Sequence, residues 1–239
     1  GGGSGVGIAA LISDRVDIAN ASRQMKPKEL EAARKNGVNP VEIVIGIDGL
    51  SVIVNSDNPV DGLTMQQIGA IFRGEITNWK EIGGNDKEIS LYGRQANSGT
   101  FAFFQKTVLE KKNYSQDMKR MNGNAQIVEG IAADADGIGY VGIGYVFDEH
   151  GNPRTDIKVL KVAKDTDSTP VSPLISENVK SGLYPIARAL YQYVNGKPAG
   201  KVKEFIAFEL GEKGQHIVEE MSFYPVSGEY VTQNQNAGF

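Results

Sequence analysis

Residues 41–55, "VEIVIGIDGLSVIVN", constrain this chain more than any other stretch. They hold two β-rich runs, 41–47 and 50–55, joined through a short turn that carries Asp48. Helical patterns flank them. Upstream, "KPKELEAARKNG" predicts a helix over 27–36 that opens on Pro27 and stops at Gly37. Downstream, after the turn-rich "SDNPVDG", the pattern of "TMQQIGAIFRG" predicts a helix capped by Thr64 with Met65, Ile68, Ile71 and Phe72 on one stripe. The alternation continues to the end: strands in "ISLYGRQ", "GIGYVGIGYV", "IKVLKV" and "RALYQYVN", and helices in "SGTFAFFQKTVLEKK", "NAQIVEGIAADAD", "KVKEFIAFELG" and "GQHIVEEM". Near the start, a helix over 8–13 and a strand over 16–19 are expected, and the polar tail "VSGEYVTQNQNAGF" is expected to fray. Strands alternating with helices predict an α/β fold with largely parallel sheets.

Two of the strands, 50–55 and 189–195, each end at asparagine and bracket a central block. They read as paired crossovers between two lobes. Lobe I is then 1–55 plus 188–239, and lobe II is 56–187. A ligand in such an architecture is expected in the cleft, near the strand ends.

With 239 residues, 40% of them hydrophobic, the chain can bury a sizeable core. A net charge of −4 argues against nucleic acid or an anionic membrane as partner. An anionic ligand would have to be drawn by a few local groups. No cysteine is present, which removes disulfides, thiolate metal sites and cysteine nucleophiles. The two histidines, His150 and His216, stand apart from any serine–carboxylate pattern and read as surface residues. With no nucleophile beside a base and no metal cluster, an enzyme is disfavoured, and no cofactor is expected. The lone Trp79 reads as packing rather than a sugar-stacking platform.

One local pattern points to a ligand. In "GRQANSGTFAFFQ", Arg94 precedes Ser98, Gly99 and Thr100, which fall at a predicted helix start. Backbone N–H groups there lack intrahelical partners, and the helix dipole adds about half a positive charge. Gly99 admits a ligand to the backbone, the hydroxyls can donate, and Arg94 offers a planar cationic fork. The same residues also serve as an ordinary cap with a surface arginine. "GGGSGVG" at the start repeats the theme, with Ser4 before a helix, but it lacks the lysine of a nucleotide P-loop. Arg23, at the end of a strand, either points into a cleft or lies along the surface. Asp48 is either a turn stabiliser or a functional carboxylate.

Taken together, "GGGSGVGIAAL", "VDIANASRQM", "GEITNW", "GRQANSGTFAFF", "GIGYVGIGYV" and "YPIARALYQYVNGKP" resemble the phosphate-binding proteins of bacterial ABC importers along essentially the whole chain. The resemblance implies a two-lobed clamshell of the type II periplasmic binding protein kind, with two crossover strands as hinge. It implies a periplasmic or cell-surface protein that closes on inorganic phosphate and delivers it to a membrane permease. By position, Ser4 looks like the first-lobe serine contact, and Arg94, Ser98, Gly99 and Thr100 like the second-lobe contacts.

Two departures from the family pattern bear on function. Where some members carry the aspartate that accepts the phosphate proton, this chain has Arg23; Asp48 is the candidate replacement. Sulfate discrimination hinges on that carboxylate, so a binder of sulfate, molybdate or tungstate is the competing reading. The family also places a strand, a loop and a helix ahead of the "GGGSG" turn. The expectation here is an incomplete lobe I, complemented by an N-terminal segment or a swapped neighbour lying beside 16–19.

Overall fold

The computed structural model describes residues 2–239; Gly1 of the opening glycine run lies outside the described residues. The chain divides into two compact units. Unit 1 comprises residues 2–48, Asn97–Gly99 and Arg188–Phe239, and unit 2 comprises Gly49–Ala96 and Thr100–Ala187.

In chain order, the first segment forms α1 (Ser4–Ile12), β1 (Ile18–Ala21), α2 (Pro27–Lys35) and β2 (Pro40–Gly49). The middle of the chain forms β3 (Ser51–Asn55), β4 (Gly62–Thr64), α3 (Met65–Arg73), β5 (Ser90–Arg94) and α4 (Gly99–Thr107). It continues with β6 (Lys119–Met121), α5 (Asn124–Ala132), β7 (Gly137–Val141), β8 (Ile157–Val159), β9 (Lys161–Ala163) and α6 (Ser176–Lys180). The chain closes with β10 (Ala187–Asn195), α7 (Gly200–Leu210), α8 (Glu212–Glu220) and α9 (Glu229–Ala237).

Unit 1 is built on a three-stranded sheet in the order β1-β10-β2. Side chains alternate across it, as the two-residue period of a strand requires. Ala19, Ala21 and Tyr193 face one cluster with Ile8 and Leu11 of α1, Ala33 of α2 and Met25 from the loop before α2. Ile18, Val194 and Ile43 face the other, with Ile206 and Leu210 of α7 and Phe239 after α9. β1 pairs antiparallel with β10, Asn20 opposite Gln192. The tail does not fray. It forms α9, and Asn234 holds it on β2: its amide accepts from Val44 N at 2.9 Å and donates to Val44 O at 2.7 Å. One buried side chain thus does what a neighbouring strand would do, a tie that the polar composition of the tail conceals.

Unit 2 carries a five-stranded sheet in the order β6-β5-β7-β3-β8, beside a parallel pair, β4 with β9. β5 runs parallel to β6 and β7, but β3 runs antiparallel to both β7 and β8. The sheets are therefore mixed rather than largely parallel. β3 follows β2 with only Leu50 between, so no crossover helix dictates its direction. Its five residues are all buried, as is every residue of β7.

Local signals act as the sequence suggests. Thr64 Oγ1 accepts from Gln67 N at 3.1 Å while Gln67 Oε1 accepts from Thr64 N at 2.9 Å, a reciprocal cap on α3. Gly74 closes that helix in the left-handed region, φ 76°. Trp79 is 1% exposed and its indole N–H donates to Asp136 O at 2.9 Å, so its ring offers no free face to a sugar.

Candidate anion-binding site

The first turn of α1, the end of β1 and the Asn97–Gly99 segment, which ends on the first residue of α4, converge within unit 1. Gly3 precedes α1 in extended backbone and supplies no capping side chain. Ser4, the first residue of α1, is buried, and its Oγ accepts from Ser22 N at 3.0 Å and lies 3.3 Å from Ser22 Oγ. Gly99, the first residue of α4, closes on both hydroxyls. A Cβ at Gly99 would stand 2.2 Å from Ser4 Oγ and 2.6 Å from Ser22 Oγ. Gly3 is equally confined: a Cβ there would lie 2.6 Å from Asn97 O and 2.9 Å from Ser98 Cα. Glycine at both positions is therefore a matter of space.

Two hydroxyls thus meet the first residues of two nine-residue helices, Ser4 of α1 and Gly99 of α4, and this meeting is the candidate seat. Each such helix start carries about half a positive elementary charge. Ser98 is buried beside Gly99 in sequence, 2% exposed. These groups suit a compact oxyanion, because neutral N–H and O–H donors can ring it without large desolvation of opposed charges.

The three charged residues singled out in the sequence sit differently. Arg23 is engaged by its own neighbourhood: Nη1 and Nη2 donate to the two oxygens of Glu29 at 2.7 Å each, and Nη1 also donates to Gln24 O at 2.9 Å. Burial pushes the Glu29 carboxyl up, but the Arg23 fork and the N–H of Lys26 outweigh it and hold the group below its ordinary value. Arg23 still flanks α1, with Nη2 4.0 Å from where a Cβ on Gly5 would lie.

Asp48, at the end of β2, is 1% exposed. Its Oδ2 accepts from Arg188 Nε at 3.0 Å and Arg188 Nη2 at 2.7 Å. Arg188 also donates from Nη1 to Ser22 O at 3.2 Å. The carboxylate of Asp48 thus connects to the seat through Arg188 and the Ser22 backbone. Burial, and then the charge of Asp48, push the Tyr224 hydroxyl up to about 12.

In unit 2, Arg94 closes β5 and is partly exposed. Nη1 donates to Asn124 Oδ1 at 3.2 Å and Nη2 to Asn122 O at 3.1 Å. Its main-chain N–H donates to Tyr140 Oη at 3.2 Å, Tyr140 donates on to Tyr114 at 3.2 Å, and Tyr114 donates to Phe101 O at 2.9 Å. Tyr140 is itself stacked on Phe104 at 4.0 Å between ring centres. This buried relay fixes the end of β5 relative to α4. Thr100, the second residue of α4, is 3% exposed.

The structure brings Ser4, Ser98 and Gly99 together and adds Ser22, which the sequence places just before the Pro27 helix without a ligand role, and Arg188, which the sequence does not single out. Ser22 precedes Arg23 in the quoted "ANASRQM", and a serine at a strand end before a helix was the available signal. Arg188 opens the strand pattern "RALYQYVN", where a charge at the head of an apolar run is the trace it leaves. His150 and His216 are exposed, beside Glu149 at 3.7 Å and Glu220 at 3.4 Å.

The PBP superfamily domain matches residues 1–213 of this chain. Protein SphX of Synechococcus elongatus is 32% identical over 239 residues, covering 96% of this chain and 69% of its own length. The phosphate-binding protein PstS of Pseudomonas aeruginosa is 31% identical over 241 residues, 94% of this chain and 72% of its own. Among solved structures, a substrate-binding protein assigned to phosphate ABC transport in Clostridium perfringens, with phosphate bound, superposes with a TM-score of 0.77 at 31% identity. That match covers 94% of this chain and 85% of the other. An ABC-type phosphate transport receptor from Vibrio cholerae gives 0.73 at 27% identity, covering 95% and 86%. The fold is that of the two-lobed periplasmic binding proteins, and the chain belongs to the PBP superfamily, within the family of bacterial phosphate-binding proteins of ABC importers.

Proposed function

We propose that this chain is a solute-binding protein that captures inorganic phosphate and hands it to the membrane permease of an ABC importer. The observation that carries this reading is the meeting of the Ser4 and Ser22 hydroxyls with Gly99, the first residue of α4; an oxyanion would sit beside these groups, not in the space a Gly99 side chain would take. The proposed ligand set is Ser4, Ser98, Gly99 and Thr100 with the Arg94 guanidinium, flanked by Arg23 and Asp48; Ser22 joins it. The role is binding without covalent chemistry, as in the family. The working place is the periplasm or the cell surface. Among the described residues, no helix is long and apolar enough to cross a membrane.

A second reading, a binder of sulfate, molybdate or tungstate, draws on Arg23 standing where an acceptor carboxylate is expected and on Asp48 being occupied by Arg188. Phosphate at neutral pH keeps a proton to donate and sulfate does not, so a carboxylate in the ligand shell favours the first and repels the second. Isothermal titration with each anion separates the two. Phosphate binding that is saturable, weakened in Ser4→Ala and little affected by excess sulfate supports the proposal; tighter binding of a fully ionised oxyanion would replace it.

The proposal extends to complementation of unit 1. β1 is the end strand of its sheet among the described residues. Phe205 and Phe208 of α7 are each 50% exposed in the same unit. An added extended segment, N-terminal in origin or from a swapped neighbour, would pair with β1; hydrogen exchange at alternate amides of β1 slows if such a segment docks and stays fast if none does.

A further inference from the structure

β10 presents Tyr191 and Tyr193 to the cluster under α1 and α2, and Val194 to the cluster under α7. By that alternation Gln192 points toward α7. Gln192 is 2% exposed, and its Nε2 donates to Glu209 Oε1 at 3.0 Å. The remaining oxygens of the same two groups, Gln192 Oε1 and Glu209 Oε2, are both buried and both without a hydrogen-bond partner. Two buried acceptors left on a pair already joined by one bond are a specific defect, since buried polar groups are otherwise satisfied.

A carboxylic acid and a primary amide have complementary edges. The amide N–H donates to the acid carbonyl, and the acid O–H donates to the amide carbonyl. One proton on Glu209 Oε2 therefore satisfies both orphaned oxygens at once. We propose that Glu209 is a proton-binding site, its carboxyl held neutral in a cyclic, two-bond pair with the Gln192 amide that docks α7 on β10.

The surroundings fit a neutral group. From α8, Gln215 Nε2 donates to the main-chain oxygen of Glu209 at 2.8 Å and to Ile45 O of β2 at 3.2 Å. The charged side chains of α7 (Lys201, Lys203, Glu204) and of α8 (Glu212, Lys213, His216, Glu219, Glu220) are exposed, and Asn20 of β1 stands opposite Gln192. Burial pushes the Glu209 carboxyl up, and the Gln192 hydrogen bond opposes it only in part. A carboxyl raised in the folded state contributes stability that is fully present below its unfolded value of 4.5 and lost as pH rises through the folded value. Deprotonation releases the proton to solvent and returns two facing acceptors to the α7–β10 junction.

This inference does not depend on the phosphate reading, and its test needs no ligand. The whole chain is labelled with 13C at glutamate carboxyls and titrated by NMR, with Glu209→Gln identifying the resonance. The result expected is a Glu209 carboxyl that stays protonated after the exposed glutamates have ionised. Glu209→Gln, which replaces the acid O–H by an amide N–H, then melts with a flatter profile on the alkaline side. A Glu209 resonance that titrates with the exposed glutamates overturns the proposal and assigns the two oxygens to a bridging water. If Glu209→Gln does not fold, Gln192→Met identifies the same resonance by displacing it, and the same two outcomes apply.

Discussion

Gly99→Ala tests the seat with one methyl group. The new Cβ would stand 2.2 Å from Ser4 Oγ, 2.6 Å from Ser22 Oγ and 2.9 Å from Ser4 Cβ. The two hydroxyls can rotate, but Ser4 Cβ is anchored to the first turn of α1, so relief requires Gly99 and Ser4 to part by several tenths of an ångström. Overpacking of this kind costs about 1–3 kcal/mol. Because the displaced groups are the proposed ligands, the same strain falls on binding: each ~1.4 kcal/mol is tenfold, so phosphate affinity is expected to drop about 5- to 150-fold. The control is Gly123→Ala. Gly123 has ordinary extended backbone, φ −139°, and open space where the Cβ would go. Isothermal titration and thermal melts of both variants make the comparison. Gly99→Ala with the affinity and melting temperature of the parent would refute the close approach of Gly99 to the two serines.

Three further outcomes rest on side chains outside the seat. Arg188→Met takes from the buried Asp48 carboxylate the guanidinium that donates to its Oδ2 twice, and is expected to lose about 3–5 kcal/mol in denaturant melts, with part of the loss recovered in Asp48→Asn/Arg188→Met. Asn234→Ala frees both Val44 backbone groups; a loss of about 1–3 kcal/mol and faster hydrogen exchange at the Val44 amide are expected, and unchanged exchange would show that α9 is held by other contacts. Glu29 is lowered in the folded state, so its contribution is present above its unfolded value of 4.5 and lost as pH falls through the folded one. The melting temperature of the parent should accordingly fall more steeply below pH 4.5 than that of Glu29→Gln, and parallel profiles would contradict the Arg23–Glu29 assignment.

Local chemistry was the legible part of this fold. Thr64, Gln67 and Gly74 define α3 from both ends, and Pro27 opens α2 as its spacing predicts. Each of those signals acts within one turn of the chain. Boundaries that depend on tertiary packing moved: α1 starts at Ser4 rather than residue 8, and β1 occupies Ile18–Ala21 rather than 16–19, set by pairing with β10. The helix of the tail is not legible in its sequence, because Asn234 holds it by reaching across 190 residues and no apolar stripe marks it. In the candidate site, Ser4 and Gly99 each carry a recognisable helix-start pattern, but nothing local says that they meet. Arg188 was missed for the same reason. Its partner Asp48 is 140 residues away, and the pair is defined by three strand ends arriving together.

The most direct test of the account is the 15N–1H spectrum of the full chain with and without inorganic phosphate at neutral pH. The account predicts saturable perturbations concentrated at the amides of Ser4, Gly5, Ser22, Ser98, Gly99 and Thr100 and at the side chain of Arg94. A folded chain whose spectrum is unmoved by phosphate, or moves only at residues distant from Gly99, would contradict it.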